Sequence, residues 1–190
     1  EILEVVKENG GKAFLTQPDH QSGSDRVHEV YSKELKNNED LIINLQGDMP
    51  NIEPNSISRL EQLMRKNKCD IGTLASIIKN DDEINDPNIV KVAVDHELKK
   101  DTFLLAKDFF RTRKKIVKQK IYHHLGIYAF TNIALTKYVQ LSRSKLEIER
   151  NLEQMRAMEN NLLIKVGLSE STPTGIDTEK DIKKIMKEIK

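Results

Sequence analysis

Apolar positions along the chain switch between two periods. Ile2, Leu3, Val5 and Val6 fall at helical spacing and stop at Asn9-Gly10-Gly11, a helix C-terminus signal. KAFLT (12–16) reads as a short strand, SGSDRVHEVYSKEL (22–35) as a helix with Ser22 or Ser24 near its cap, and DLIINLQ (40–46) as a strand. EPNSISRLEQLMRKN (53–67) places Ile57, Leu60, Leu63 and Met64 on one helical face, and DIGTLASIIK (70–79) returns as a strand. Strand, helix, strand, helix, strand predicts an α/β fold with a mostly parallel sheet flanked by helices.

The middle of the chain alternates apolar and polar residues. IVKVAVDHELKKDTFLLA (89–106), with a turn near 96–100, predicts an antiparallel hairpin inserted into that sheet. HHLGIYAFT (123–131) is a further strand, Asn132 a cap for IALTKYVQL (133–141), and KLEIERNLEQMRAMEN (145–160) one amphipathic helix with Leu146, Ile148, Leu152, Met155 and Met158 on its apolar face. LLIKVGL (162–168) is a late strand before a helix that follows Thr178. No repeat or low-complexity linker interrupts the 190 residues, so a single domain is expected.

Composition narrows the function classes. The 31 Lys and Arg against 30 Asp and Glu leave a net charge of +1, which offers no general attraction for nucleic acid or an anionic membrane. No apolar run approaches the roughly 20 residues of a membrane span, and the opening EILEVVKENGGK is not a signal peptide. The single cysteine, Cys69, forms no internal disulfide, fits a reducing cytoplasm, and reads as a small buried hydrophobe.

Three stretches bear chemistry. The strand LIIN runs into Gln46, Gly47 and Asp48, at the strand end where open α/β sheets bind ligands. Asp177 lies in TGIDT, before a helix; with Asp48 it forms either a pair of oxygen ligands for Mg²⁺ or two ordinary turn and helix caps. DHQSGSDR (19–26) supplies a glycine for close backbone approach, a helix N-terminus and Arg26, either a carboxylate clamp or a solvated side chain on a capped helix. His123 and His124 face opposite sides of one strand, so they do not form a two-histidine metal site.

HQSGSDR, NLQGDMP, DPNIVKV, HLGIYAF, LEQMR and PTGIDT, in this order, resemble the 3-deoxy-manno-octulosonate cytidylyltransferases over essentially the whole chain. The resemblance implies a nucleotide-diphospho-sugar transferase-like fold and a cytoplasmic, homodimeric, Mg²⁺-dependent enzyme. Such an enzyme couples CTP to 3-deoxy-manno-octulosonate (KDO) and releases pyrophosphate for lipopolysaccharide synthesis. It further implies that Asp48 and Asp177 bind the metal, and that Arg26, Gln46, Gly47, Arg113, His124, Tyr128 and Glu153 bind substrate. The family opens with a strand and a loop of the type I-P-A-R-x-x-S-x-R-L-P-x-K, which has no counterpart here. The first strand and nucleotide loop are therefore expected to be missing, and the fragment to be inactive alone. Three further departures stand inside the chain. Met49 replaces an acid in QGDMP, LLAKDFFRTR (104–113) keeps only Arg113 of a conserved basic segment, and Arg150 stands where an acid is common. They leave two alternatives: a cytidylyltransferase for another 2-keto acid sugar of the sialic type, and a catalytically silent binding or scaffold homologue.

Overall fold

A computed structural model describes residues 1–35, 38–112, 118–176 and 178–188. The elements follow in the order α1 (Ile2–Glu8), α2 (Gly23–Lys33), β1 (Leu41–Asn44), α3 (Pro54–Lys66), β2 (Ile71–Ser76), α4 (Asp81–Asn85), β3 (Lys91–Val94), β4 (Phe103–Phe110), β5 (Lys120–Thr131), α5 (Asn132–Val139), α6 (Lys145–Arg150), α7 (Gln154–Glu159), β6 (Ile164–Leu168) and α8 (Glu179–Glu188). No described helix is long and apolar enough to cross a membrane.

The sheet corrects the mostly parallel expectation. Only β2 and β6 pair in parallel among the described strands; the other pairings are antiparallel. The long strand β5 is the reason. Residues 128–131 pair with β1, the stretch from His123 to Phe130 pairs with β2, and residues 120–123 pair with β3. β1, β2 and β6 do run in one direction, as their alternation with helices requires, but β5 lies between β1 and β2 in the opposite sense. The pairings close into a circuit through β5, β2, β6, β4 and β3. The expected hairpin is present as β3 and β4, from Lys91 opposite Phe110 to Val94 opposite Ala106.

Strand alternation in β5 divides the core. Leu125, Ile127 and Ala129 pack under Leu60, Leu63 and Met64 of α3. Tyr122, Tyr128 and Phe130 face the larger cluster, with Tyr31 of α2, Leu135 and Tyr138 of α5, and Met155 and Ala157 of α7. Leu60, buried completely, contributes about 1.5–3 kcal/mol. The predicted α3 stripe is borne out, with Ile57 only partly covered.

Three local expectations fail for identifiable reasons. Residues 12–16 are irregular chain rather than a strand: Leu15 is 86% exposed, and no described strand offers them a ladder. The α5 cap is Thr131, whose hydroxyl accepts from the Ala134 amide at 3.1 Å, one residue before the expected Asn132. The helix expected over 145–160 is two helices, broken at Asn151, whose φ of 51° and ψ of 51° are left-handed. Asparagine tolerates this conformation better than most residues. The break leaves Ile148 of the expected apolar stripe 61% exposed, while Leu152 and Met155 are buried.

Asn151→Val should therefore cost about 1–2 kcal/mol in urea unfolding, because a β-branched side chain resists the left-handed region. Asn151→Gly should leave the unfolding midpoint unchanged or raised. Equal losses in both variants would assign the break to the asparagine side chain instead of its backbone angle.

Candidate active site

The inward alternation of LIIN buries Ile42 and Asn44, and the chain leaves β1 at Leu45 with Gln46 half-buried and Gly47 and Asp48 exposed. Gln46 lies across the face of β5: its Cγ is 3.5 Å from where a Cβ on Gly126 would sit, and its Nε2 is 3.6 Å from the equivalent point on Gly23. Met49, which replaces the family acid, is buried, with its Cε 3.8 Å from the Gly126 position. The substitution thus turns this part of the floor apolar. Asn44 is a site residue that sequence reasoning missed. It is 6% exposed, its Nδ2 lies 3.7 Å from the Gly23 position, and no described residue hydrogen-bonds that nitrogen. Such a group costs about 1–3 kcal/mol while it stays unpaired. The available signal was a polar residue on the inward phase of an apolar strand.

The N-terminus of α2 closes this space from above. Ser22 caps it, accepting from the Asp25 amide at 3.2 Å and donating to the Asp25 carboxylate at 2.7 Å. The Ser24 amide donates to Glu153 Oε2 at 3.4 Å, so α2 and the α6–α7 break meet at one carboxylate. Burial raises the Glu153 pKa, against the lowering effect of the Ser24 and Ser22 hydrogen bonds and of Arg156. Ser24, Tyr128, Tyr138, Glu153 and Gln154 line one small cavity.

Glu153 is held by a buried charge network. Arg156 and Glu147, each with a side chain 2% exposed, form a two-pronged pair, Nε to Oε2 at 2.9 Å and Nη2 to Oε1 at 2.7 Å. Glu147 also completes a capping box with Ser144. Arg156 Nη1 reaches Asp25 Oδ1 at 3.4 Å, and the guanidinium lies 4.6 Å from the Tyr138 ring centre. The Tyr138 hydroxyl donates to the Glu153 carbonyl at 3.0 Å. Burial alone would raise the Glu147 pKa; Arg156 and the Ser144 amide outweigh it and hold the carboxyl below the usual range. Arg156, within the LEQMR motif, was visible in the sequence only as a charge on a helix.

His124 and His123 point to opposite faces, as expected. His123 meets Glu83 at 3.4 Å, whereas His124 is buried between Phe109, edge-on at 5.0 Å, and Tyr128 at 5.5 Å. Burial pushes the His124 pKa down to about 3, so the ring is neutral. Burial also raises the Tyr128 pKa well above its ordinary value.

Gln46, Gly126, Tyr128, Glu153 and His124 therefore gather on one face of β5 and beneath α2. Arg26 is exposed, and its Nη1 donates to Thr16 Oγ1 and to the Gln17 carbonyl at 3.0 Å. Asp48 is exposed, and its carbonyl accepts from the Ile176 amide at 2.9 Å, while Asn51 Oδ1 accepts from the Thr174 amide at 3.0 Å. These bonds bring the segment preceding position 177 onto the Asp48 loop. Asp177 itself and Arg113 lie outside the described residues, and no cluster of three or more potential metal ligands occurs among the described ones. Arg150 pairs with Asp108 and donates to the Phe109 carbonyl at 2.7 Å, so this departure ties α6 to β4. Lys91, fully buried in β3, donates to the carbonyls of Asp86, Ile89 and Arg111 at 2.5, 2.9 and 2.7 Å and holds the backbone near the end of the altered segment 104–113. Cys69 is half-buried beside Met64, and burial pushes its thiol up to about 11. A cleft of about 610 Å³ between α2 and residues 139–142 touches none of the predicted site residues.

Residues 1–170 match the model of a family described as cytidylyltransferase. A 3-deoxy-manno-octulosonate cytidylyltransferase from Bartonella bacilliformis is 37% identical over 187 residues, covering 98% of this chain and 76% of that protein. One from Brucella ovis is 38% identical over 183 residues, covering 96% and 72%. A solved structure of CMP:2-keto-3-deoxy-manno-octonic acid synthetase complexed with CTP superimposes with a TM-score of 0.84 at 33% identity, covering 99% of this chain and 76% of that one.

Removing one partner of the buried pair leaves an uncompensated charge, so Arg156→Met should cost about 3–5 kcal/mol in denaturant unfolding. The depressed Glu147 pKa stabilises the fold fully above the ordinary value of 4.5 and stops doing so as pH falls through its lower folded value. The penalty of Arg156→Met should therefore shrink on acidification below that range. A pH-independent penalty would mean that Arg156 acts by packing alone.

Proposed function

The chain belongs to the cytidylyltransferase family, and we propose that it couples CTP to KDO, releasing pyrophosphate. The observation that supports this reading best is the gathering of Gln46, Tyr128, His124 and Glu153 beneath the N-terminus of α2, at the end of the strand that leads to Asp48. A polyhydroxylated acid sugar needs several hydrogen-bonding groups of this kind. Gln46, Gly47, His124, Tyr128 and Glu153 would line the sugar, and the unpaired Asn44 amide nitrogen offers it a further donor. Arg26 would take the sugar carboxylate with the part of its fork not used by Thr16 and Gln17, and Arg113 would add positive charge at the substrate.

In the reaction the anomeric hydroxyl oxygen forms a bond to the α-phosphorus of CTP and loses its proton. The bond from that phosphorus to the bridging oxygen breaks, and pyrophosphate leaves with the electron pair. Asp48 and Asp177 would hold Mg²⁺; hard carboxylate oxygens suit this ion, and the Ile176–Asp48 hydrogen bond draws the two loops together. When bound, the ion supplies charge neutralisation at the phosphates. The chain's own residues orient the hydroxyl and shield it from water. We further assign the protein to the cytoplasm, as a homodimer serving lipopolysaccharide synthesis.

Two measurements test this reading in the full-length protein. Pyrophosphate release should require both CTP and KDO, and a sialic-type acid sugar should not replace KDO; the reverse preference would overturn the substrate assignment. Asp48→Asn should lower turnover by on the order of 100-fold or more, roughly 3 kcal/mol of charge stabilisation, with an unchanged circular dichroism spectrum. Full activity in that variant would remove Asp48 from the metal site.

A further inference from the structure

Thr73 is completely buried in β2 and meets three groups: the Ile127 carbonyl at 2.7 Å, the Leu125 carbonyl at 3.2 Å and His124 Nε2 at 2.9 Å. The Thr73–Leu74 step is also where the β2–β5 register shifts, which brings two carbonyls of β5 to one hydroxyl. A hydroxyl has a single proton, and carbonyl oxygens only accept. The Thr73 proton is committed to β5, so toward His124 the hydroxyl oxygen accepts. Nε2 must then bear the ring proton. The ring is neutral at any working pH, because burial has pushed its pKa down to about 3. Nδ1 is left with a lone pair, and no described residue hydrogen-bonds it. A 180° flip of the ring would keep the contacts with Phe109 and Tyr128 but would put Cε1 in place of Nε2 opposite Thr73 and forfeit that hydrogen bond.

We propose that Thr73 is a positioning residue that fixes His124 as the Nε2–H form, so that Nδ1 accepts a hydroxyl of the acid sugar. The proposal rests on His124 facing the sugar, as set out under Proposed function. It gives His124 a defined selectivity: the ring takes a hydroxyl donor and offers no positive charge to a carboxylate.

Long-range proton–nitrogen spectra of the ¹⁵N-histidine-labelled protein test the tautomer directly. The chain has five histidines, and His124 is assigned by its loss in His124→Gln. The wild type should show a proton on Nε2 and an unprotonated Nδ1 whose shift moves when KDO is added. Thr73→Val should blur that signature and raise the KM for KDO about tenfold, while the KM for CTP stays within twofold. Thr73→Ser should restore both. A wild-type Nδ1–H tautomer overturns the proposal at its root, whether or not Thr73→Val folds. An Nε2–H tautomer whose Nδ1 responds to CTP but not to KDO also overturns it, and places the fault in the sugar assignment. An unchanged KM for KDO in a folded Thr73→Val refutes the positioning role.

Discussion

The buried pair of Arg156 and Glu147 constrains most of what surrounds the site. Two charges removed from water are tolerated only when each is paired and hydrogen-bonded. Here Glu147 is satisfied by Arg156, Arg143 and the Ser144 amide, and Arg156 by Glu147, Asp25 and the face of Tyr138. Such a network fixes where α2, α5, α6 and α7 can lie relative to one another. The left-handed Asn151 is part of that solution. It ends α6 while Glu147 is still in reach of Arg156, and it places Glu153 at the N-cap of α7. The Glu153 carbonyl accepts from both the Tyr138 hydroxyl and the Arg156 amide, which aims its carboxylate at the Ser24 amide.

β5 constrains the opposite wall. One long strand carries His124, Gly126 and Tyr128 on a single face and pairs with β1, β2 and β3. Gln46 leaves β1 directly over Gly126, so the loop with Asp48 and the side chains proposed to face the sugar are registered by backbone hydrogen bonds. Two of the three interior departures from the family pattern are absorbed structurally. Met49 joins the apolar floor, and Arg150 finds Asp108 on β4.

Much of this was legible in the chain. Helical spacing identified α3, alternation identified the β3–β4 hairpin, and the ordered motifs identified the family. Alternation with helices also gave the common direction of β1, β2 and β6. It could not reveal that β5 inserts between β1 and β2, because neighbour choice in a sheet is a long-range pairing that local periodicity does not encode. The break at Asn151 was hidden because LEIERNLEQM keeps a helical pattern, and the burial of the Glu147–Arg156 pair against Asp25 shows only in the fold. Thr73 and Lys91 act through burial and hydrogen bonds to backbone carbonyls that only the fold brings to them, those of Leu125 and Ile127 for Thr73 and that of Arg111 for Lys91, whereas Asn44 shows in the sequence only as a polar residue on the inward phase of an apolar strand. His124 and Tyr128 could be named from the HLGIYAF motif, but only the fold shows that both are enclosed.

Whether the buried pair serves the proposed sugar site by orienting Glu153 is tested most directly by a thermodynamic cycle on KDO affinity. Arg156→Met, Glu153→Gln and the double variant are compared in the full-length protein, at a temperature where all three are folded. If Arg156 acts on the sugar through Glu153, the double variant should bind KDO no more weakly than the weaker single variant, a coupling of about 1 kcal/mol or more. Losses that simply add would contradict the claim and leave Arg156 as a support of the fold alone.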